Sequence, residues 1–156
     1  MTMATYLIRS YAGVDGLDFG VARSDVHRVL GQPARTRTSR FSAELTDSWF
    51  DGSLRLTFGE APGAPLTEVT LYPSVGSVQL EGLDLFGADR RAIYWELCKR
   101  DGDARVTVGV TVLLRLGIAI TGFLHADATD QAVTAFARGR WQADDDALSE
   151  RVPLPS

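Results

Sequence analysis

The chain has 156 residues, of which 45% are hydrophobic and 23% charged, and a formal net charge of −4. That size fits one globular domain burying roughly 70% of its unfolded surface. Its mild acidity argues against nucleic acid as a main partner, because neutralising phosphates needs a basic face. A lone cysteine, Cys98, excludes an intrachain disulfide and fits a reducing compartment. No run approaches the ~20 apolar residues of a membrane span, and residues 1–9 lack the regions of a signal peptide, so a cytoplasmic location is expected. Lys99 stands against 15 arginines, which reads as codon usage in a GC-rich genome.

Residues 5–11 predict a leading strand or ordered arm. The phrase Gly16-Leu17-Asp18-Phe19-Gly20 then recurs 66 residues later as Gly82-Leu83-Asp84-Leu85-Phe86-Gly87, with one insertion. A fixed-period repeat organises the expectation for the whole chain, and two units make one pseudo-symmetric domain rather than a solenoid. After the first phrase, Val26, Val29 and Leu30 fall at helical spacing from near Ser24. Asp25 suits the first turn, and Gly31 followed by Pro33 stops the helix. Residues 35–39 alternate with little apolar content and predict an edge strand. Asp51-Gly52 is a hairpin signal. Leu54, Leu56 and Phe58 alternate with Arg55 and Thr57, and Val69 and Leu71 with Glu68, Thr70 and Tyr72.

The second unit repeats this grammar. A helix is expected over 89–99, with Cys98 a small buried hydrophobe on it. Val106, Val108, Val110 and Val112 read as one half-buried strand, followed by strands over 114–120 and 131–138. Repeat one spans about 13–73 and repeat two about 77–141, within a single domain over 1–141. Residues 142–156 read as a flexible acidic tail. The fold class is α+β, with helices on one face of an antiparallel sheet and the other face open.

Chemistry-bearing motifs are sparse. Gly13, Gly16 and Gly20 match neither phosphate-loop nor dinucleotide patterns and read as turn glycines. His27 reads as a helix-surface residue and His125 as a loop residue, so no metal and no cofactor are expected. The open face draws the candidate partner-binding set: Phe50, Arg55, Glu68, Tyr72, Arg115, Phe136, Arg138 and Trp141. Tyr, Trp and Arg combine large contact area with a polar handle. A two-residue hairpin at Asp51-Gly52 puts Trp49 opposite Leu54 in the core and leaves Phe50 open; a strand running straight through exposes Trp49 instead.

The run Val26-His27-Arg28-Val29-Leu30-Gly31-Gln32-Pro33, with the strands around Trp49, Leu54-Arg55-Leu56-Thr57-Phe58 and Val69, resembles one half of the beta-lactamase inhibitor protein fold. Small outer-membrane assembly lipoproteins use that half once. The resemblance covers about residues 13–141 and implies a doubled sheet whose concave face grips a partner protein. This chain lacks the inhibitor's disulfides and the lipoproteins' lipidated cysteine, so the beta-lactamase target is not carried over. The sequence is also similar to uncharacterised small bacterial cytosolic proteins with Gly-Leu-Asp-Phe-Gly and Leu-Phe-Gly phrases, some of them beside toxin genes. The resemblance implies a non-enzymatic binding module, an immunity or inhibitor protein whose partner is a toxin, such as a basic toxin domain. A homodimer closing its open faces is also compatible. The alternative is a small-molecule-binding or catalytic protein using the cleft between repeats, with Asp18, Asp84 and Glu96 as its acids.

Overall fold

The computed structural model describes residues 5–107, 109–124, 130–148 and 150–153; His125, Val108 and the last residues of the expected tail lie outside them. It is an α+β protein with two helices and two mostly antiparallel sheets. The first half of the chain contributes β1 (Thr5–Arg9), β2 (Gly13–Val14), β3 (Leu17–Asp18), α1 (Arg23–Leu30), β4 (Arg35–Thr38), β5 (Leu45–Trp49), β6 (Leu54–Phe58) and β7 (Leu66–Leu71). The second contributes β8 (Ser77–Leu80), β9 (Leu83–Asp84), α2 (Arg90–Asp101), β10 (Ala104–Thr107), β11 (Val110–Leu113), β12 (Ile118–Thr121), β13 (Ala132–Phe136) and β14 (Glu150–Arg151). The large sheet is antiparallel, in the order β14-β10-β11-β12-β13-β7-β6-β5-β4. A smaller one runs β3-β2-β1-β8-β9, with β1 and β8 parallel at its centre.

The recurring Gly-Leu-Asp phrase has the same local result both times. Val14 pairs with Leu17 around Asp15-Gly16, and Leu80 with Leu83 around Glu81-Gly82. Each loop is two residues long, and tight hairpins of that length demand positive φ; Asp15, Glu81 and Gly82 take it, at 49°, 51° and 81°. The helices end as their sequences dictate. Gly31 and Gly102 cap the C-termini, each donating its N–H to a carbonyl of the last turn, His27 and Cys98. Asp89 caps α2 by accepting from the Ala92 N–H at 3.0 Å. That helix runs two residues past the expected body, to Asp101, and ends at the Asp101-Gly102 stop that the sequence offers.

Strand alternation sorts the large sheet into two faces. Leu54, Leu56, Val69, Leu71, Ile118, Ile120, Leu113 and Val133 are buried on the inner face, beneath the helices and the small sheet, in one core with Ile8, Val14, Val78, Leu80, Val26 and Leu97. Fully burying each such side chain contributes about 1.5–3 kcal/mol relative to exposure. The helices report the same face: α1 bonds to β5 through Asp47, and Tyr94 of α2 bonds to Thr111 of β11.

Three expectations change here. The valine run is not one strand, because Gly109 at φ 71° turns the chain and Thr107 pairs with Val110. The Thr107–Val110 pairing flips the parity of the alternation, so Val106 faces inward while Val112 lies on the outer face. Residues 114–117 form the next turn, and β12 begins only at Ile118. The outer face is not open throughout. The chain after β13 folds back across the second half instead of trailing as a solvated tail: Leu148 is fully buried with Val112, Ala119 and Phe136, and β14 pairs with β10.

Candidate binding face

Beneath the first half of the sheet lies a buried polar cluster that fixes α1, β4 and β5 to one another. Asp47 is fully buried on β5. Arg23 Nε donates to its Oδ2 at 2.8 Å and Arg23 Nη2 to its Oδ1 at 2.9 Å. Thr36 Oγ1 donates to Oδ1 at 2.6 Å, and His27 Nε2 bonds Oδ2 at 2.7 Å. Burial alone would raise this carboxyl, but these donors and the Arg23 charge outweigh it and hold it below the usual range. A carboxylate has about four acceptor positions, and four donated hydrogens fill them. Asp47 is thus a clamp with nothing left to offer a substrate. His27, expected on the helix surface, is a member of this clamp, and its ring meets Trp49 edge-on with centroids 6.1 Å apart. Trp49 itself is buried opposite Leu54, and its Nε1 donates to the Gly31 carbonyl at 3.3 Å.

On the other side of these strands the outer face carries hydroxyls and guanidinium groups. Register aligns Arg35, Ser48, Arg55, Thr70 and Thr134 in one row across five strands, and Arg37, Thr46, Thr57 and Glu68 in the next. Thr46 and Thr57 bond each other at 3.0 Å, and Thr70 and Thr134 at 2.9 Å. Arg35, Arg37, Ser48, Gly52 and Arg55 surround a concavity of about 380 Å³, with Asp51 as its carboxylate. Among the described residues Arg35, Arg37 and Arg55 form no ion pair. Arg55 is held over the Tyr72 ring at 4.8 Å, and its Nε donates to the Gly52 carbonyl at 3.1 Å.

The eight sequence-predicted residues divide among four places. Arg55 and Tyr72 join this concave end, and Phe50, 59% exposed, sits in the neighbouring turn. Glu68 marks the boundary and is occupied within the chain: Arg140 Nε donates to it at 2.7 Å, and the same guanidinium bonds Glu44. The hydrogen bond from Arg140 holds the Glu44 carboxyl low against its partial burial. Phe136 lies on the outer face but is fully buried, with Trp141 packed beside it. Arg138 stacks over Tyr11 at 4.4 Å, and the Tyr11 hydroxyl donates to the Leu114 carbonyl. Arg115 is on no sheet face; it sits in the turn before β12, where its amide donates to Asp101 Oδ1 at 2.8 Å.

Sequence reasoning missed Arg35 and Arg37. The signal was Arg-Thr-Arg-Thr itself, since a period of two puts both arginines on one side of a strand. The acids nominated for the alternative function do not converge: Asp18 pairs with Arg9 at 2.6 Å, Glu96 with Arg100 at 2.9 Å, and Asp84 accepts from the Phe86 amide. Cys98 is buried and its thiol pushed up to about 11, chiefly by that burial. Among the described residues no cluster of His, Cys, Asp and Glu is arranged to hold a metal, and no helix is long and apolar enough to cross a membrane.

No family model and no solved structure matches the chain. A probable thymidylate kinase from Natronomonas pharaonis is 32% identical over 59 residues, 38% of this chain. The matched stretch spans 30% of that protein's length. The present sequence contains no glycine-rich loop ending in Lys and Ser or Thr, the element that cradles nucleotide phosphates.

Proposed function

We propose that this chain is a non-enzymatic protein-binding module of the immunity or inhibitor kind, two helix-then-strand units in tandem, and that it grips its partner through the first half of its outer face. The observation that carries the reading is the trio Arg35, Arg37 and Arg55, without ion-pair partners among the described residues, around one concavity, with Tyr72 beneath the Arg55 guanidinium and exposed Phe50 in the adjoining turn. Unpaired guanidinium groups beside aromatic side chains are the usual composition of binding hot spots. The tandem arrangement draws support from the junction of β7 and β13, where Val69 pairs with Ala135, the residue 66 positions later and thus separated from it by the period of the Gly-Leu-Asp phrase. Such a face suits a partner that is acidic where it docks, in place of the basic toxin domain expected at first.

The test is co-purification from the native host with tagged wild type and with Arg55→Glu. A single stoichiometric protein retained by wild type and lost by the variant is the expected result. Alanine at a true anchor should weaken the purified complex by about 2 kcal/mol or more. Equal retention by both proteins removes this face from the function.

A further inference from the structure

We propose that the outer edge of β4 takes up an extended segment of a partner protein with carboxylates at alternate positions, adding it as a further strand of the large sheet. This rests on the binding-face reading above and specifies how that face is used.

β4 ends the strand order and pairs with β5 alone. A strand so placed presents a row of N–H and C=O groups without sheet partners, which is a template for another strand. All four of its residues are exposed. Its facing is fixed, because Thr36 turns inward and donates to buried Asp47 at 2.6 Å. Arg35 and Arg37 therefore both project on the outer face, beside Arg55, around the concavity.

Charge selects the occupant. In an antiparallel pair centred on Thr36, a second copy of β4 would set Arg35 opposite Arg37 and Arg37 opposite Arg35. Like charges directly opposite are destabilising, whereas opposite charges at such positions stabilise the pair. An incoming strand with Asp or Glu at every second residue meets both arginines and leaves its other side chains toward Thr36 and Thr38. The ends of the edge are marked by exposed aromatic side chains. Phe41, 98% exposed, sits in the hairpin leading from β4 to β5, and Phe50 lies beyond the opposite end of β5, near Arg35. At about 3.4 Å per residue, a segment of about five to seven residues runs alongside β4 and its immediate flanks.

The probe is a fluorescent, capped heptapeptide of alternating glutamate and valine. Two further versions carry N-methyl groups on one or the other alternate set of backbone amides, and a third has lysine for glutamate. Saturable binding is expected, with slowed hydrogen exchange at the amides of β4. One N-methylated version should bind at least tenfold more weakly than the other, and the lysine version should not bind. Arg35→Glu/Arg37→Glu should lose at least tenfold while keeping the wild-type circular dichroism and melting temperature. No saturable binding at millimolar peptide overturns the proposal. Equal binding of both N-methylated versions overturns strand addition, and the binding face stands if charge reversal still abolishes the interaction. Binding indifferent to charge reversal removes both strand addition by an acidic segment and the binding face.

Discussion

The outer face of the large sheet has two ends built on the same alternation and treated oppositely by the chain. At the β10–β13 end its residues include Val112, Ala119 and Phe136, which are covered by Leu148 and Trp141 and by Tyr11 reaching over from the β1–β2 turn. At the β4–β6 end they are Arg35, Arg37, Thr46, Ser48, Arg55 and Thr57; the three arginines are exposed and the hydroxyl residues half-buried between them. The difference follows from residue type. An apolar outer row costs free energy until it is removed from water, while hydroxyl and guanidinium groups are satisfied by solvent. Arg140 fixes the border, tying the covering segment to Glu44 before β5 and to Glu68 on β7. One end of the face is thus consumed by folding and the other keeps its arginines exposed to solvent.

The comparison breaks first at the clamp. If the uncovered end owes its rigidity to the polar cluster beneath it, Asp47→Ala should carry the largest penalty. It strands Arg23 and His27 without their acceptor, and removing one member of a buried ion pair typically costs 3–5 kcal/mol. Arg23 keeps some contact with water, its side chain being 28% exposed, so a loss of about 3 kcal/mol is expected. The midpoint of urea denaturation measures it, and a change below about 1 kcal/mol would mean that the clamp is not what holds this end.

Next in size is the cover. Leu148 is completely buried on an apolar row, and Leu→Ala in such a setting costs about 2–5 kcal/mol, least where the site can collapse. Leu148→Ala should therefore lower stability by about 2 kcal/mol and expose the β10 and β11 amides to faster hydrogen exchange. Unchanged exchange there would show that Trp141 and Tyr11 suffice to cover Phe136.

How much of this was legible depended on whether the signal was local. Alternation in Leu54-Arg55-Leu56-Thr57-Phe58 and the glycine stops of both helices act within a few residues, and the sequence expresses them directly. The cover was not legible, because it depends on a lone Leu148 returning to a strand about 40 residues earlier, with Asp144-Asp145-Asp146 advertising a solvated segment instead. Phe136 was assigned to the correct side of its strand and to the wrong environment for this reason. The clamp was invisible in a similar way: Asp47 and His27 are 20 residues apart, and His27 taken alone reads as a helix-surface residue. Gly109 shows a third limit, since the valine alternation continues unbroken in the sequence while the Thr107–Val110 pairing exchanges the faces.

A pH titration sharpens the comparison with a smaller effect, because each half buries one aspartate in a different way. Asp47 is matched by side-chain donors that outweigh its burial and lower its pKa. Asp101, at the end of α2, is raised by burial, even though the amides of Leu116, Asp103 and Arg115 donate to it. Lowering means that the Asp47 contribution is present above the unfolded carboxylate range near pH 4 and is lost as pH falls through the folded value. Raising gives the opposite sign: the Asp101 contribution is complete below about pH 4 and is lost as pH rises through its folded value. Asp101→Asn should remove the decline on the rising side and leave the acid limb attributable to Asp47. A stability profile unchanged by that substitution would mean that Asp101 titrates in the folded protein as it does in the unfolded one.

The smallest expected effect on folding is the most telling for function. Arg35 and Arg37 are exposed and unpaired on an edge strand, so replacing either with alanine should alter stability by less than about 0.5 kcal/mol. A larger loss would mean that they support the fold and that the uncovered end is structural after all. If stability holds while partner affinity drops, the two properties separate at this end of the sheet. They cannot separate so at the other end, where Phe136 and Leu148 are core. Among the described residues neither arginine has an ion-pair partner, so a stability-neutral loss of affinity would assign both to binding and not to folding.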